Sequence, residues 1–499
     1  VNINKRIDDF TVVVNAGTSL SDNSSDLLGY GGPIRDTGVP NVFNVFDLDN
    51  AKKRATQEGW EEMTQSIFAS AEIGWKSMLY LTLTGRNDWA SQLKGSNPTS
   101  FFYPSVGLSA VISEMVTLPK AIDYLKVRGS FSAVGTPYPR FLVQPTYSYD
   151  PTKQDWNAKT HYPIGKLKPE RTDSWEIGVD GTFFKDFKVS GSFYYANTYN
   201  QTFDPKITVS SGYSTLYVQT GYVRNLGVEG LLSYGHTWRD FGWNSNFTFS
   251  WNKNKIVELV KDYVHPETGE IVNKDRLELK GLGYTKFILK EGGTLGDLYT
   301  NADFIRDDKG YIQIDKNGDV AKTVNLPDIK LGSVFPKANL AWNNSFSYKG
   351  IYAGFQLSAR LGGIVYSATQ AALDQYGVSE ASAAARDRGG VLVNGRSWVN
   401  AQQYYEIVAT SSGLPQYYTY SATNLRLQEA HIGYTIPRKW LGNICDINVS
   451  VVGRNLWMIY CKAPFDPEAI ATTSNFYQGI DYFMMPSTRN FGFNVKINF

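Results

Sequence analysis

Cysteine is almost missing from this 499-residue chain, which carries only Cys445 and Cys461. About 16 residues at roughly 3.3 Å each hold them tens of ångströms apart along a strand. A bridge needs Cα atoms within about 7 Å, so no disulfide is expected. No CxxC, HExxH or paired Cys/His spacing supplies a metal site, and no cofactor is implied. Histidine is also scarce: His161, His236, His265 and His431 are all there are. Nucleophilic hydrolysis needs a base at hydrogen-bond reach of the nucleophile. His236 falls in a predicted turn and His431 inside a predicted strand, both away from any Ser-rich elbow, which disfavours an enzyme. No apolar run reaches the roughly 18 residues of a membrane-crossing helix, which excludes a helical bundle but leaves a barrel open. The net charge of +2 gives nucleic acid no basic footprint. No period of 20–50 residues marks a propeller or solenoid. The chain opens on Val1 without a basic, apolar leader, so its natural beginning is expected to lie elsewhere.

What is abundant points one way. Aromatics make up 14% of residues and glycines number 45, a composition of strands, turns and interface girdles. In the last nine residues Phe491, Phe493, Val495, Ile497 and Phe499 share one strand face, opposite Gly492, Asn494, Lys496 and Asn498. Trp175, Ile177, Val179 and Phe183 likewise oppose Ser174, Glu176, Asp180 and Thr182. Charges in mid-strand mean that the polar face meets water, as a channel lining does. The alternation predicts fourteen strands, at 8–18, 64–75, 77–87, 101–113, 122–134, 170–183, 186–200, 221–235, 240–256, 337–348, 351–364, 421–436, 445–458 and 488–499. Lys76-Ser77, Phe184 to Lys188 and Lys349-Gly350 read as tight turns. Long polar loops are expected near 19–63, 135–169, 257–336, 365–420 and 459–487. Long and short connections alternate, the rhythm of an up-and-down transmembrane antiparallel β-barrel. A last strand descending to the periplasm would place every long loop outside the cell. A soluble glycan-binding sandwich would need polar outer faces, which the terminal strand contradicts.

Within the loops, 307–319 (DDKGYIQIDKNGD) departs from calcium-loop spacing and reads as paired hairpin turns. The Ala-rich stretch 367–388 predicts a helix. Aromatics cluster as Tyr147, Tyr149, Trp156 and Tyr162, as Tyr404, Tyr405, Tyr417, Tyr418 and Tyr420, and as Phe476, Tyr477, Tyr482 and Phe483. Their rings can stack on sugars and their hydroxyls can bond sugar or peptide groups, but the same residues suit girdles and loop cores. Arg140, Arg386 and Arg388 can hold carboxylates or make loop ion pairs. Asp466 and Glu468 suit either loop closure or a cation. In GRNDWAS (85–91), Asn87 and Asp88 are read as closing a strand end, with Trp89 at the interface.

Several strings resemble the SusC/RagA-type TonB-dependent transporters of Bacteroidota outer membranes. They are GRNDWAS (85–91), FFYPSVGLSAVISE (101–114), LKVRGSFSAVG (125–135), LKPERTDSWEIGVDGTFF (167–184), SGSFYYANTYNQ (190–201), GYVRNLGVEGLLSY (221–234), WNKNKIVEL (251–259), ATNLRLQEAHIGYTIP (422–437) and VVGRNLWMIYCKAPFDPE (451–468). Their order and spacing, rather than any one string, make the resemblance specific. It implies a 22-stranded barrel of which about fourteen strands are here, with the N-terminal plug and TonB box absent from this chain. Residues 1–499 are then the C-terminal part of one barrel domain. The resemblance further implies import of oligosaccharides or oligopeptides under a SusD-like surface lipoprotein lid. Energy would come through the TonB–ExbB–ExbD complex, and pairs of transporter and lipoprotein can dimerise. Outer-membrane lipid is the other partner. Phe499, the terminal aromatic, would be read by the assembly machinery. An outer-membrane barrel hydrolase is the alternative reading, and an oligopeptide rather than a glycan the alternative cargo.

Overall fold

The computed structural model describes all residues except 37–41, 43, 96–98, 143–147, 151–154, 158–160, 163–167, 204–214, 217, 220, 265–268, 270, 473–477 and 499. Tyr147, His265, Phe476, Tyr477 and Phe499 therefore lie outside the described residues.

Successive alternating segments have nothing to pair with but their sequence neighbours, and they form one antiparallel meander. Its strands are β1 (Asn2–Ile7), β2 (Phe10–Gly31), β3 (Arg54–Trp75), β4 (Leu79–Ala90) and β5 (Ser100–Val111). There follow β6 (Ile122–Thr136), β7 (Glu170–Phe183), β8 (Phe187–Tyr199), β9 (Tyr222–Trp238) and β10 (Phe241–Glu258). The sheet ends with β11 (Ala338–Tyr348), β12 (Ile351–Leu361), β13 (Asn424–Ile436), β14 (Asp446–Cys461) and β15 (Asn490–Asn498). These fifteen strands lie in chain order, each hydrogen-bonded to the next. All fourteen predicted segments are in this sheet. The additional strand is β1, which folds back on β2 through Asp8-Asp9, residues that alternation alone assigns to a strand. His236, expected in a turn, sits inside β9, which runs on to Trp238.

The tight turns have a physical signature. Both central residues take positive φ at Lys76-Ser77 (50° and 58°), Phe184-Lys185 (51° and 64°) and Lys349-Gly350 (46° and 88°). That geometry matches the twist of paired strands. One predicted loop is largely strand: β2 and β3 pair without a break from Phe10↔Trp75 to Gly31↔Arg54, leaving only 32–53 between them. Ser- and Asp-rich residues have poor strand propensity, but a neighbour already in register satisfies the backbone groups that point toward it.

Directly opposed residues share a face. Trp175 opposes Phe131 and Tyr195; Ile177 opposes Phe193, which opposes Val228, then Trp251. Leu232, Phe247, Trp342 and Leu357 continue the band, and Ile432, Val451 and Phe493 carry it to β15. Ile177 is 64% exposed and Ile432 60%, so among the described residues no element covers this face there. Toward the short-turn end the band finishes in a row of rings, Phe187–Tyr234 at 4.7 Å, Tyr234–Trp243 at 5.0 Å and Trp238–Phe241 at 5.9 Å. Such a girdle marks a membrane interface.

Candidate functional site

The opposite face of the sheet is polar. On β6, Arg128 stands across from Gly178 of β7, with Ser130↔Glu176 and Lys126↔Asp180 on either side. Its guanidinium donates to Asp180 at 2.7 Å and Glu176 at 3.3 Å, and Ser190 of β8 donates to Asp180 at 2.6 Å. Gly178 makes this possible, since a Cβ there would lie 2.6 Å from Arg128 Cζ. A cleft of about 390 Å³ leads from Arg128 past Ser192, Glu229 and Ser250 to Asn339. A second, of about 810 Å³, lies nearer the short turns and is lined by Glu72, Tyr80, Glu114, Tyr124 and Lys126 among others. Two acids, an arginine and hydroxyls, mostly paired, make this face a polar wall.

The long connections fold into a cap at one end of the sheet. After β10 the chain docks on that strand's free edge, where Ile256 N–H donates to Gly293 O at 2.9 Å and Gly292 N–H to Ile256 O at 2.8 Å. Four short strands, Arg276–Lys280, Lys286–Lys290, Asp297–Thr300 and Ile329–Ser333, form a small sheet above it. Fully buried Phe287, Leu298 and Val334 make its core. The turns at 307–319 close as read: Asp307 Oδ1 accepts from Tyr311 N–H, and Asp315 Oδ1 from Asp319 N–H.

The predicted helix at 367–388 is two, α1 (Ala368–Gln375) and α2 (Glu380–Asp387), followed by α3 (Ala401–Val408), which periodicity over so few residues does not reveal. Gly377, at φ +69°, breaks the first pair, and Ser379 with Ser382 forms a capping box that restarts the helix. Ser367 caps α1 and also donates to Asp481 at 2.5 Å, with Thr369 donating to the same carboxylate at 3.0 Å. Strand Ile364–Ser367 pairs with Ile480–Asp481, so the connections after β12 and β14 are knitted together.

At the root of the cap, Arg426 of β13 meets Asp466 in a two-pronged ion pair of 2.8 and 3.1 Å, with Glu468 at 3.3 Å. The side chains of Arg426 and Asp466 are 5% and 10% exposed. Burial alone would raise Asp466, yet the Arg426 hydrogen bonds and charge outweigh it and hold the carboxyl below its ordinary range. Of the two readings of Asp466-Pro467-Glu468, loop closure is the one these contacts describe.

The aromatic candidates divide by placement. Tyr418 is buried and donates to Asp374 at 2.9 Å; burial, then the Asp374 charge, raises its hydroxyl far above the ordinary value. Tyr404 packs on Phe304 and against Tyr405, and burial pushes its hydroxyl up to about 12. Tyr420 is likewise pushed up to about 12 by burial. These rings build the cap. Tyr149 and Trp156 are exposed and meet edge to face at 5.3 Å. Tyr482 and Phe483 are also exposed, at 5.2 Å, and Tyr417 is exposed on one side while touching Phe304. Tyr162 is placed only by its backbone, in a two-residue strand with Thr215–Leu216. Arg386 donates to Gly377 O and Arg388 to Ala384 O, both remaining exposed. Arg140 pairs with Glu62 at 3.0 Å and stacks on Trp60 at 3.6 Å. In the GRNDWAS string, Asp88 accepts from Arg86 and Tyr103, tying β4 to β5. The alternation in the sequence marks Glu176 and Asp180; their partner Arg128 carries a weaker form of the same signal, a charge in mid-strand between Val127 and Gly129.

An apolar belt, a polar inner wall and a folded cap over one end define a transmembrane β-barrel. The chain matches the family model described as TonB dependent receptor-like, beta-barrel, over residues 3–456, and it belongs to that family. TonB-dependent receptor P3 of Formosa agariphila is 24% identical over 464 residues, 86% of this chain and 45% of that protein. TonB-dependent receptor SusC of Bacteroides thetaiotaomicron is 24% identical over 246 residues, 44% of this chain and 24% of that one. Among solved structures, the RagAB peptide importer in its closed-closed state superposes with TM-score 0.76 at 17% identity, over 100% of this chain and 55% of that chain. The chain thus spans under half the length of these curated relatives.

Proposed function

We propose that this chain forms wall and mouth of an outer-membrane importer for oligosaccharides, with the short turns periplasmic and the capped end outside the cell. A SusD-like lipoprotein would close over the cap, two such pairs could associate, and the TonB–ExbB–ExbD complex would supply energy through parts of the transporter outside this chain. The observation that carries the reading is the pairing of an uncovered apolar band with a wall holding Arg128, Glu176 and Asp180 in mid-strand. That combination is stable where lipid lies on one side and water on the other. Strands β1 and β15 are each paired on one side only among the described residues. With relatives more than twice as long, we take further strands of the same protein to close the ring between them.

The exposed rings of Tyr149, Trp156, Tyr417 and Tyr482 favour sugars, whose faces stack on aromatics. Two measurements test the reading. The intact protein should migrate faster in a detergent gel unboiled than boiled; an unshifted band would contradict the barrel. The purified transporter–lipoprotein pair should bind oligosaccharides saturably in calorimetry, whereas saturable oligopeptide binding without glycan binding would reassign the cargo.

A further inference from the structure

The lipid-facing side of β7 to β10 does not stay apolar. Moving from the band toward the capped end, Ile177↔Phe193↔Val228↔Trp251 gives way to Trp175↔Tyr195↔Leu226↔Lys253. The next row outward is Asp173↔Asn197↔Arg224↔Lys255, and beyond it Arg171 opposes Tyr199, which in turn opposes Tyr222. Because opposed residues share a face, four cations stand on the membrane side just above the last apolar row.

Their partners leave charge to spare. Arg171 is matched by Asp173 at 2.7 Å, and the nearby Glu258 by Lys261 at 3.8 Å. Arg224 is held by neutral groups, donating to Asn197 at 3.2 Å and to the Tyr222 hydroxyl at 2.5 Å, with its guanidinium 5.0 Å from the Tyr195 ring centroid. Lys253 and Lys255 are exposed, and among the described residues neither they nor Arg224 enters an ion pair. A half-buried guanidinium fixed by a hydroxyl and an amide, flanked by two free ammonium groups and three tyrosines, is complementary to a phosphate on an apolar anchor.

We infer that this patch binds the phosphorylated headgroup of a lipid in the outer leaflet, its acyl chains lying along Trp251, Val228 and Phe193. The inference rests on the barrel orientation proposed above, which puts these rows at headgroup level.

The test uses the intact transporter, delipidated in detergent and titrated with bisphosphorylated lipid A, dephosphorylated lipid A or inorganic phosphate under native mass spectrometry. The K253Q/K255Q variant should bind the bisphosphorylated lipid about 25-fold more weakly, at roughly fivefold per cation. K253R/K255R should bind it as the parent does, and the dephosphorylated lipid should bind weakly to all. Equal affinity of K253Q/K255Q and parent would overturn the proposal, as would equal affinity for the dephosphorylated lipid. Inorganic phosphate bound as tightly as the lipid would make this a small-anion site and also overturn it. Failure of the barrel reading is separable, because it removes the heat-shifted band in parent and variants alike.

Discussion

Asp466→Asn is the most informative single substitution, because it unpairs a buried cation without changing shape. Arg426 would keep its place, 5% exposed, facing an amide in place of a carboxylate that now meets it at 2.8 and 3.1 Å. Removing one partner of a buried pair costs about 3–5 kcal/mol, chiefly the uncompensated charge left behind. Glu468, at 3.3 Å and 44% exposed, can recover only a part. The barrel strands do not depend on this contact, so the loss should fall on residues 462–472 and 478–489 and their junction with Ile364–Ser367. At about 1.4 kcal/mol per decade, amide exchange there should accelerate roughly 10²–10³-fold. Hydrogen–deuterium exchange with mass spectrometry reads this peptide by peptide. Acid should mimic the substitution. The folded-state carboxyl sits below its ordinary value, so its contribution is complete above the unfolded pKa of about 3.9 and disappears as pH falls through the lower folded one. The D466N protein should lack that acid-sensitive step. A double Arg426→Met, Asp466→Leu variant should recover much of the protection, since apolar replacement of a buried pair is often neutral. Unchanged exchange in D466N would refute the assignment of the pair as the cap's anchor.

Two further outcomes are expected. Phe193→Lys places a charge mid-band on the lipid face and should cost about 2–4 kcal/mol in a denaturant titration of the reconstituted barrel, while Ser192→Lys on the polar face should cost little. Gly377→Ala would put a Cβ 2.7 Å from Arg386 Nη1 at a φ of +69°, so limited proteolysis should cut between α1 and α2 faster than in the parent, with the heat-shifted band retained.

How much the sequence disclosed depends on scale. Period-two alternation is imposed by having lipid on one side and water on the other, so every strand of ordinary length was legible, down to the Lys76-Ser77 and Lys349-Gly350 turns. β1 escaped because Asn2–Ile7 is too short to establish a period and its turn, Asp8-Asp9, interrupts nothing apolar. The outer halves of β2 and β3 escaped because pairing, not propensity, holds Ser24 and Ser25 in a strand. The cap was opaque for a different reason. Its strands run two to five residues, and its core draws Phe287, Val393, Val408 and Ile480 from three separate connections. Aromatic clusters did mark where that core would gather. Whether a given tyrosine faces inward, as Tyr418 does, or outward, as Tyr149 does, is decided by neighbours distant in the chain.

The β2–β3 hairpin has a mechanical consequence. Among the described residues β4 supports β3 only from Thr64 to Trp75, so the rungs from Asp22↔Met63 to Gly31↔Arg54 have no further strand beside them there, an arm of roughly 30 Å. Its root is clamped on one side, by Arg140 on Glu62 and Trp60, Gln92 on Glu62, and the Ser91 hydroxyl on Met63 N–H. A force on the tip therefore arrives at the mouth as torque on that clamp, multiplied by the length of the arm. Whatever grips Leu27, Leu28 or Tyr30 at the far end gains leverage over the connections that contain Ser91 and Arg140.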